Sequence, residues 1–295
     1  VGDCVMAIPA LRSFRQLYPN AHIAALVKEG SMSVIEDCPY LDQIIPIRKR
    51  PASSDEPKGS GPVKIARYLS KQNFDTAILL PNSFRTALLA RMALIPRRVG
   101  YDRDGRGFLL TDRLMVRREN GKFIPVSTLD YYLGIARYLG AQQPEHRMEL
   151  FTHADDDAKA LDMLKKGGWT PDDGKPLVML NPGARYGEAK MWFPDRFAAV
   201  AKMCVEKLGA TIAITGAPRE RKILDEVIKS TDVPMIDLSS MGMDLKLLKS
   251  IVKQADLMVS NDTGPRHIAA AFGVPVVTVF GPTDPRWTEI DFEHE

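Results

Sequence analysis

Asn261-Asp262-Thr263-Gly264 follows a short apolar run and precedes an Ala-rich stretch, the arrangement in which a buried strand feeds a helix. Pro265 suits the first turn of that helix, where its missing N–H is not needed. The Thr263 hydroxyl, the Gly264 N–H and the positive end of the helix dipole then face one point, which favours an anion. Plain capping by Asp262 or Thr263 is the ordinary alternative. Two further loops have the same form. Residues 181–194 carry Gly183, Arg185, Gly187 and Lys190, which can bring backbone N–H groups and charge to a phosphate. Residues 216–220 place Gly216 after a strand and Glu220 behind it. That carboxylate either accepts ribose hydroxyls or is a first-turn acid, and the sequence favours neither. Three phosphate-compatible loops in adjacent strand–helix units point to one shared nucleotide site.

The elements that must position these loops follow from periodicity. Short apolar runs alternate with amphipathic stretches, the signature of βαβ units around parallel sheets and hence of an α/β fold. Strands are expected at 22–27, 43–47, 76–80, 177–180, 210–215, 257–260 and 276–280. Helices are expected at 5–17, 63–72, 84–91, 131–139, 155–166, 195–208, 220–230, 245–253 and 266–272. Pro9 predicts a kink in the first helix or a later start. Residues 51–62, rich in Ser, Gly, Pro and charge, read as a mobile surface loop, and 100–120 as a basic, less regular segment. The domain boundary is expected just before helix 155–166, giving units 1–152 and 153–295, with 167–176 as the turn into the second sheet.

Composition narrows the function classes. A net charge of +3 over 295 residues is too small for a nucleic-acid binder. Many arginines nevertheless fall in the first half, which suits a phosphorylated or membrane-embedded acceptor. Cys4, Cys38 and Cys204 are odd in number and widely spaced, which fits a reducing cytosol. No apolar run approaches the roughly 20 residues that span a bilayer. Val1 opens directly on Gly2-Asp3 and the chain stops in a charged stretch, so both ends look cut. Asp262-Thr263-Gly264 is also an aspartic-protease triplet, but a protease needs an all-β fold and here the triplet opens a helix. Asp102-Arg103-Asp104 has the spacing of a metal-binding DxD, yet it reads as a solvated acidic turn. No His/Cys/Asp cluster suggests a metal, and no strand–helix junction carries G-x-G-x-x-G.

Taken in order, the motifs resemble glycosyltransferase family 9, the ADP-heptose:lipopolysaccharide heptosyltransferases. Gly2-Asp3 with residues 6–11 is similar to the family's opening loop and helix. Pro182-Gly183-Ala184 through Ala189-Lys190 and Trp192 is similar to its central motif, and Asn261-Asp262-Thr263-Gly264, His267 and residues 279–283 to its C-terminal signature. Residues 80–88 look most like the branch that adds the second inner-core heptose. One departure is plain: Lys190-Met191-Trp192-Phe193-Pro194 loses an arginine and gains a residue against the family's Lys-Arg-Trp-Pro. The resemblance implies a GT-B fold, two Rossmann-like domains facing across a cleft, with the nucleotide sugar on the C-terminal one. It implies inverting transfer of heptose from ADP-heptose without a metal or other cofactor. Asp3 matches the catalytic base, with an N-cap as its ordinary role. Lys190, Thr263, Gly264, Gly183 and Arg185 fall to the diphosphate, Asp262 to the donor sugar, and Glu220 and Gly216 to the ribose, with His267 in the same donor set. Asn82, Ser83, Arg85, Arg103 and Arg106 fall to the acceptor, the lipopolysaccharide inner core at the membrane's cytoplasmic surface. A GT-B nucleotide-sugar 2-epimerase and a non-catalytic nucleotide-sugar binder remain as alternatives.

Overall fold

The computed structural model describes residues 1–52, 56–57, 59–184 and 188–295. Part of the 51–62 loop therefore lies outside the described residues, as do Arg185 and Gly187. The first half runs α1 (Gly2–Leu17), β1 (Ala24–Lys28), α2 (Glu29–Ile35), β2 (Gln43–Ile47), α3 (Pro62–Leu69), β3 (Thr76–Leu79), α4 (Phe84–Met92), β4 (Arg97–Asp102) and β5 (Asp112–Met115). A small antiparallel hairpin, β6 (Arg118–Glu119) and β7 (Lys122–Phe123), and α5 (Thr128–Leu139) complete it. The second half runs α6 (Ala154–Lys166), β8 (Leu177–Asn181), α7 (Pro194–Leu208), β9 (Thr211–Ile214), α8 (Arg221–Lys229), β10 (Met235–Asp237), α9 (Leu245–Val252), β11 (Leu257–Asn261), α10 (Gly264–Ala271) and β12 (Val276–Val279).

Every strand pair outside the hairpin is parallel. The first half holds the pair β1-β2 and the sheet β3-β4-β5, and the second half the sheet β10-β9-β8-β11-β12. In the latter, β8, β9 and β10 wind one way and β11 and β12 the other. The order therefore reverses between β8 and β11, which pair from Leu257 opposite Val178 to Ser260 opposite Asn181. A crevice opens beyond the carboxyl ends of the strands at such a reversal, and it is the usual ligand site of an open parallel sheet. Both strands are buried nearly throughout, so their apolar runs are continuous rather than alternating.

One buried cluster runs from α1 and α5 through α6, α9 and α10, and a second packs α7 and α8 on β8 and β9. Pro9 neither kinks nor delays α1, contrary to the expectation from its position. The helix is continuous from Gly2, with the Pro9 ring buried and the Ser13 hydroxyl donating to the Pro9 carbonyl at 2.8 Å. Burying Val5, Met6, Ile8 and Phe14 on the same helix at about 1.5–3 kcal/mol per large side chain outweighs the one lost ladder bond. The 100–120 segment is also more regular than its composition suggests, holding the end of β4, all of β5 and the first strand of the hairpin. Among the described residues, no helix is long and apolar enough to cross a membrane.

Candidate functional site

The loops after β8 and β11 flank the strand-order reversal, and their side chains interlock. Asn181, at the end of β8, donates to the Thr263 hydroxyl at 2.8 Å and to the Ser260 hydroxyl at 3.0 Å. Asn261, at the end of β11, donates to the Pro182 carbonyl at 2.7 Å and accepts from the Trp192 N–H at 3.0 Å. Each asparagine is buried and satisfied by the other strand's loop. The extra residue after Lys190 is absorbed here. Trp192 packs edge-on against Phe197 at 5.4 Å, Phe193 turns out to solvent, and Pro194 begins α7.

Lys190 ends a short 3-10 turn and donates to Asp262 Oδ2 at 3.2 Å. Its backbone rests on Gly281, where a Cβ would come within 2.8 Å of the Ala189 carbonyl, so the last motif must be glycine for Lys190 to sit there. The other oxygen of Asp262 lies 3.3 Å from the Thr288 hydroxyl and 3.4 Å from Arg266. Arg266, to which the sequence pattern assigns no role, is fully buried. It donates to the Thr288 carbonyl, approaches Glu295 at 3.2 Å and lies over the Phe280 ring at 4.9 Å. Its only sequence signal was a cation one turn after Asp262, the spacing of an intrahelical pair.

Thr263 is the N-cap residue of α10 by position, but neither it nor, among the described residues, any other side chain caps that helix. The ordinary capping role for Asp262 and Thr263 is therefore not what the structure shows. Among the described residues no side chain caps the N–H groups of the first turn, and Lys190 is paired with Asp262 at the same end, an arrangement of the kind that favours an anion. Gly264 packs against Val1, where a Cβ would sit 2.8 Å away. His267 is buried, its ring so close to Gly2 that a Cβ there would lie 2.7 Å from Cδ2. Burial, with Arg266 next to it, holds this imidazole well below its ordinary range and so neutral. His267 thus seats the start of α1 rather than presenting a charge.

That packing brings Asp3 to the same place. Asp3 lies in the first turn of α1 and is exposed, and among the described residues no side chain caps this helix. It is neither in a loop nor an N-cap, as the sequence had suggested. It follows directly on Val1 and Gly2, which pack against Gly264 and His267 at the start of α10.

Glu220 gathers the third loop. Its Oε2 accepts from the Ala217 N–H at 2.7 Å, so it closes the turn before α8. The same carboxylate lies against Gly183 and Gly216, where Cβ atoms would come within 2.4 Å and 3.4 Å of Oε2. Gly183→Ala therefore drives the carboxylate off Ala217, and the lost hydrogen bond should destabilise the fold by about 0.5–1.5 kcal/mol. Adding Glu220→Ala relieves the clash, so the two changes should be strongly non-additive in denaturant unfolding. Additive losses would contradict this geometry.

In the first half, loop 80–83 follows β3. Ser83 caps α4, accepting from the Thr86 N–H at 3.3 Å. Asn82 Oδ1 accepts from Tyr131 at 3.1 Å and from Arg106 at 3.2 Å. Arg106 is fully buried, pushed below its ordinary range by desolvation, and its other N–H groups reach the Tyr101 carbonyl at 3.0 Å and the Pro81 and Ser83 carbonyls. It shapes the loop from behind and presents no free cation. Arg103 stacks over Phe123 at 4.3 Å, and Arg85 is exposed, donating to the Ser60 carbonyl at 3.3 Å. Asp102, rather than facing solvent for a metal, tucks against Gly107, where a Cβ would come within 2.3 Å of its Oδ2.

Similarity to known proteins gives the family and the fold. Lipooligosaccharide heptosyltransferase 2 of Haemophilus ducreyi is 26% identical, over 98% of this chain and 82% of its own length. A glycosyl transferase family 9 structure from Veillonella parvula superposes with a TM-score of 0.83 at 24% identity, over 97% of this chain and 79% of that one. The Escherichia coli ADP-heptose lps heptosyltransferase II structure gives 0.81 at 22%, over 99% and 86%. These likenesses give the fold, GT-B. The family model described as glycosyltransferase family 9 (heptosyltransferase) matches residues 63–290, most of the sequence, and on that match the chain belongs to glycosyltransferase family 9 and is a glycosyltransferase.

Proposed function

We propose that this chain transfers heptose from ADP-heptose to the inner core of lipopolysaccharide, in the manner of heptosyltransferase II. The observation that carries the reading is the meeting of two helix N-termini. The uncapped start of α10, with Lys190, suits a diphosphate, and the start of α1, seated on His267, holds an exposed carboxylate beside it. Residues 1–152 are taken as the acceptor half and 153–295 as the donor half.

In this reading the acceptor hydroxyl oxygen attacks the anomeric carbon from the face opposite the diphosphate, and the carbon–oxygen bond to the β-phosphate breaks with inversion. Asp3 takes the hydroxyl proton. The negative charge that develops on ADP meets Lys190, the Gly264 N–H and the α10 dipole, with Thr263 alongside, so the reaction calls on no metal or other cofactor. Asp262 receives donor sugar hydroxyls, and Glu220, with Gly183 and Gly216 against it, receives the ribose. Arg185, outside the described residues, is assigned to the diphosphate from its motif. Asn82, Ser83, Arg85 and Arg103 meet the acceptor at the cytoplasmic surface of the membrane, with Arg106 behind them.

ADP should raise the melting temperature more than UDP or GDP at equal concentration; equal or no shifts would count against the donor assignment. Lys190→Ala removes one charge-assisted contact to the diphosphate, worth about 1.5–3 kcal/mol. Donor KM should rise roughly ten- to hundredfold, and an unchanged KM would remove Lys190 from its role.

A further inference from the structure

Phe84 and Phe108 are 42% and 69% exposed, and their rings lie 6.0 Å apart. Single exposed apolar side chains are commonplace, but two large rings in contact form a patch that water disfavours. The pair has a definite place. Phe84 opens α4 directly after the Asn82-Ser83 loop, and Phe108 sits in the 3-10 turn after β4, so both stand near the carboxyl ends of β3 and β4. The β6–β7 hairpin joins the same rim, since Arg103, from the turn leading to Phe108, and Arg118 both lie over the Phe123 ring, at 4.3 and 4.4 Å.

The stretch of chain that carries this rim is basic. Between residues 84 and 124 the sequence has ten basic and four acidic side chains, whereas the whole chain carries only +3. Some of those arginines are engaged within the fold, Arg97 with Asp112 and Arg106 in the core. Arg117, Arg118 and Lys122 remain exposed around the hairpin. Aromatic rings beside exposed cations match the boundary of an anionic bilayer, where rings settle at headgroup depth and cations meet phosphates.

We propose that the Phe84–Phe108 pair and the β6–β7 hairpin form a docking face for an anionic lipid bilayer. The face borders the Asn82 loop, so docking delivers a membrane-held acceptor to the cleft. This rests on the acceptor reading above, but lipid binding itself is measured without any transfer.

The test uses the full chain, sedimented with vesicles of phosphatidylglycerol and phosphatidylethanolamine and, separately, of phosphatidylcholine alone. The unmodified protein should bind the anionic vesicles, lose binding in high salt, and bind the neutral ones at least tenfold more weakly. Phe84→Ser with Phe108→Ser should weaken anionic-vesicle binding tenfold or more, and Arg117→Gln with Arg118→Gln and Lys122→Gln should do the same. The phenylalanine double variant should keep its melting temperature and its turnover of a de-acylated, water-soluble acceptor, yet lose turnover of acceptor carried in vesicles. Vesicle binding by that variant equal to the unmodified protein's, or binding that ignores lipid charge, would overturn the proposal. If the unmodified protein turns over neither acceptor, the transferase reading falls while the lipid result still decides the docking face.

Discussion

Replacing Asp3 by Ala should lower kcat by roughly a hundred- to ten-thousand-fold, the range of positioned general bases, while leaving the ADP-induced rise in melting temperature intact. The expectation follows from where the side chain stands. It is exposed in the first turn of α1 and caps no helix, so removing it leaves no buried group unsatisfied and little stability is at stake. The backbone beneath it is fixed by Gly2 against His267, so the deletion removes a reactive group without moving its support. Asn at the same position keeps the shape and loses the basicity, and should be as slow as Ala. Gly2→Ala makes the opposite change. It keeps the carboxylate but pushes α1 off the imidazole, and should lower kcat with a measurable fall in stability. Transfer that survives Asp3→Ala would leave Asp3 as an ordinary helix-start acid.

Arg266→Ala should be the most destabilising single change among residues 153–295. The guanidinium is wholly buried at the positive end of α10, where a cation is unfavourable unless paired. Desolvation holds it below its ordinary range, and its partners Asp262, Glu295 and the Thr288 carbonyl offset that cost. Removing one member of a buried pair typically costs about 3–5 kcal/mol, because the other is left uncompensated. Asp262 would still have Lys190, which puts the loss near about 3 kcal/mol. For a chain of this size that is on the order of 10 °C in melting temperature. Arg266→Met, which refills the space against Phe280, should recover part of it. A fall below about 1 kcal/mol would mean that the pairing does not hold the loop.

How much of this was legible in the sequence depended on what each residue had to contrast with. β8, β9 and β11 are buried on both faces, so their apolar runs stood out, with Asn181 and Asn261 ending β8 and β11 and Gly216 soon after β9. The loops at their carboxyl ends were placed for that reason. β4 and β5 were missed because partly exposed strands rich in arginine show little apolar pattern, with Val99 and Leu114 as their buried apolar anchors. α2 and β10 were too short to establish a period. Within the site, composition could not separate arginines with different fates. Arg103 stacks at the surface while Arg106, three residues on, is fully buried behind the 80–83 loop. Nor could it foresee that His267 would seat Gly2, since that approach joins residues at opposite ends of the chain. The corner at Asn261-Asp262-Thr263-Gly264 was visible early, but what stands beside it is a tertiary fact.

The central claim is transfer, and it is tested most directly by incubating the protein with ADP-heptose in the presence and absence of lipopolysaccharide inner-core acceptor, following ADP and acceptor mass together. The expected result is release of one ADP for each heptose gained by the acceptor, with no change in the sugar nucleotide when acceptor is omitted. Conversion of the donor sugar to an epimer without acceptor, or donor binding with no turnover in either mixture, would contradict it.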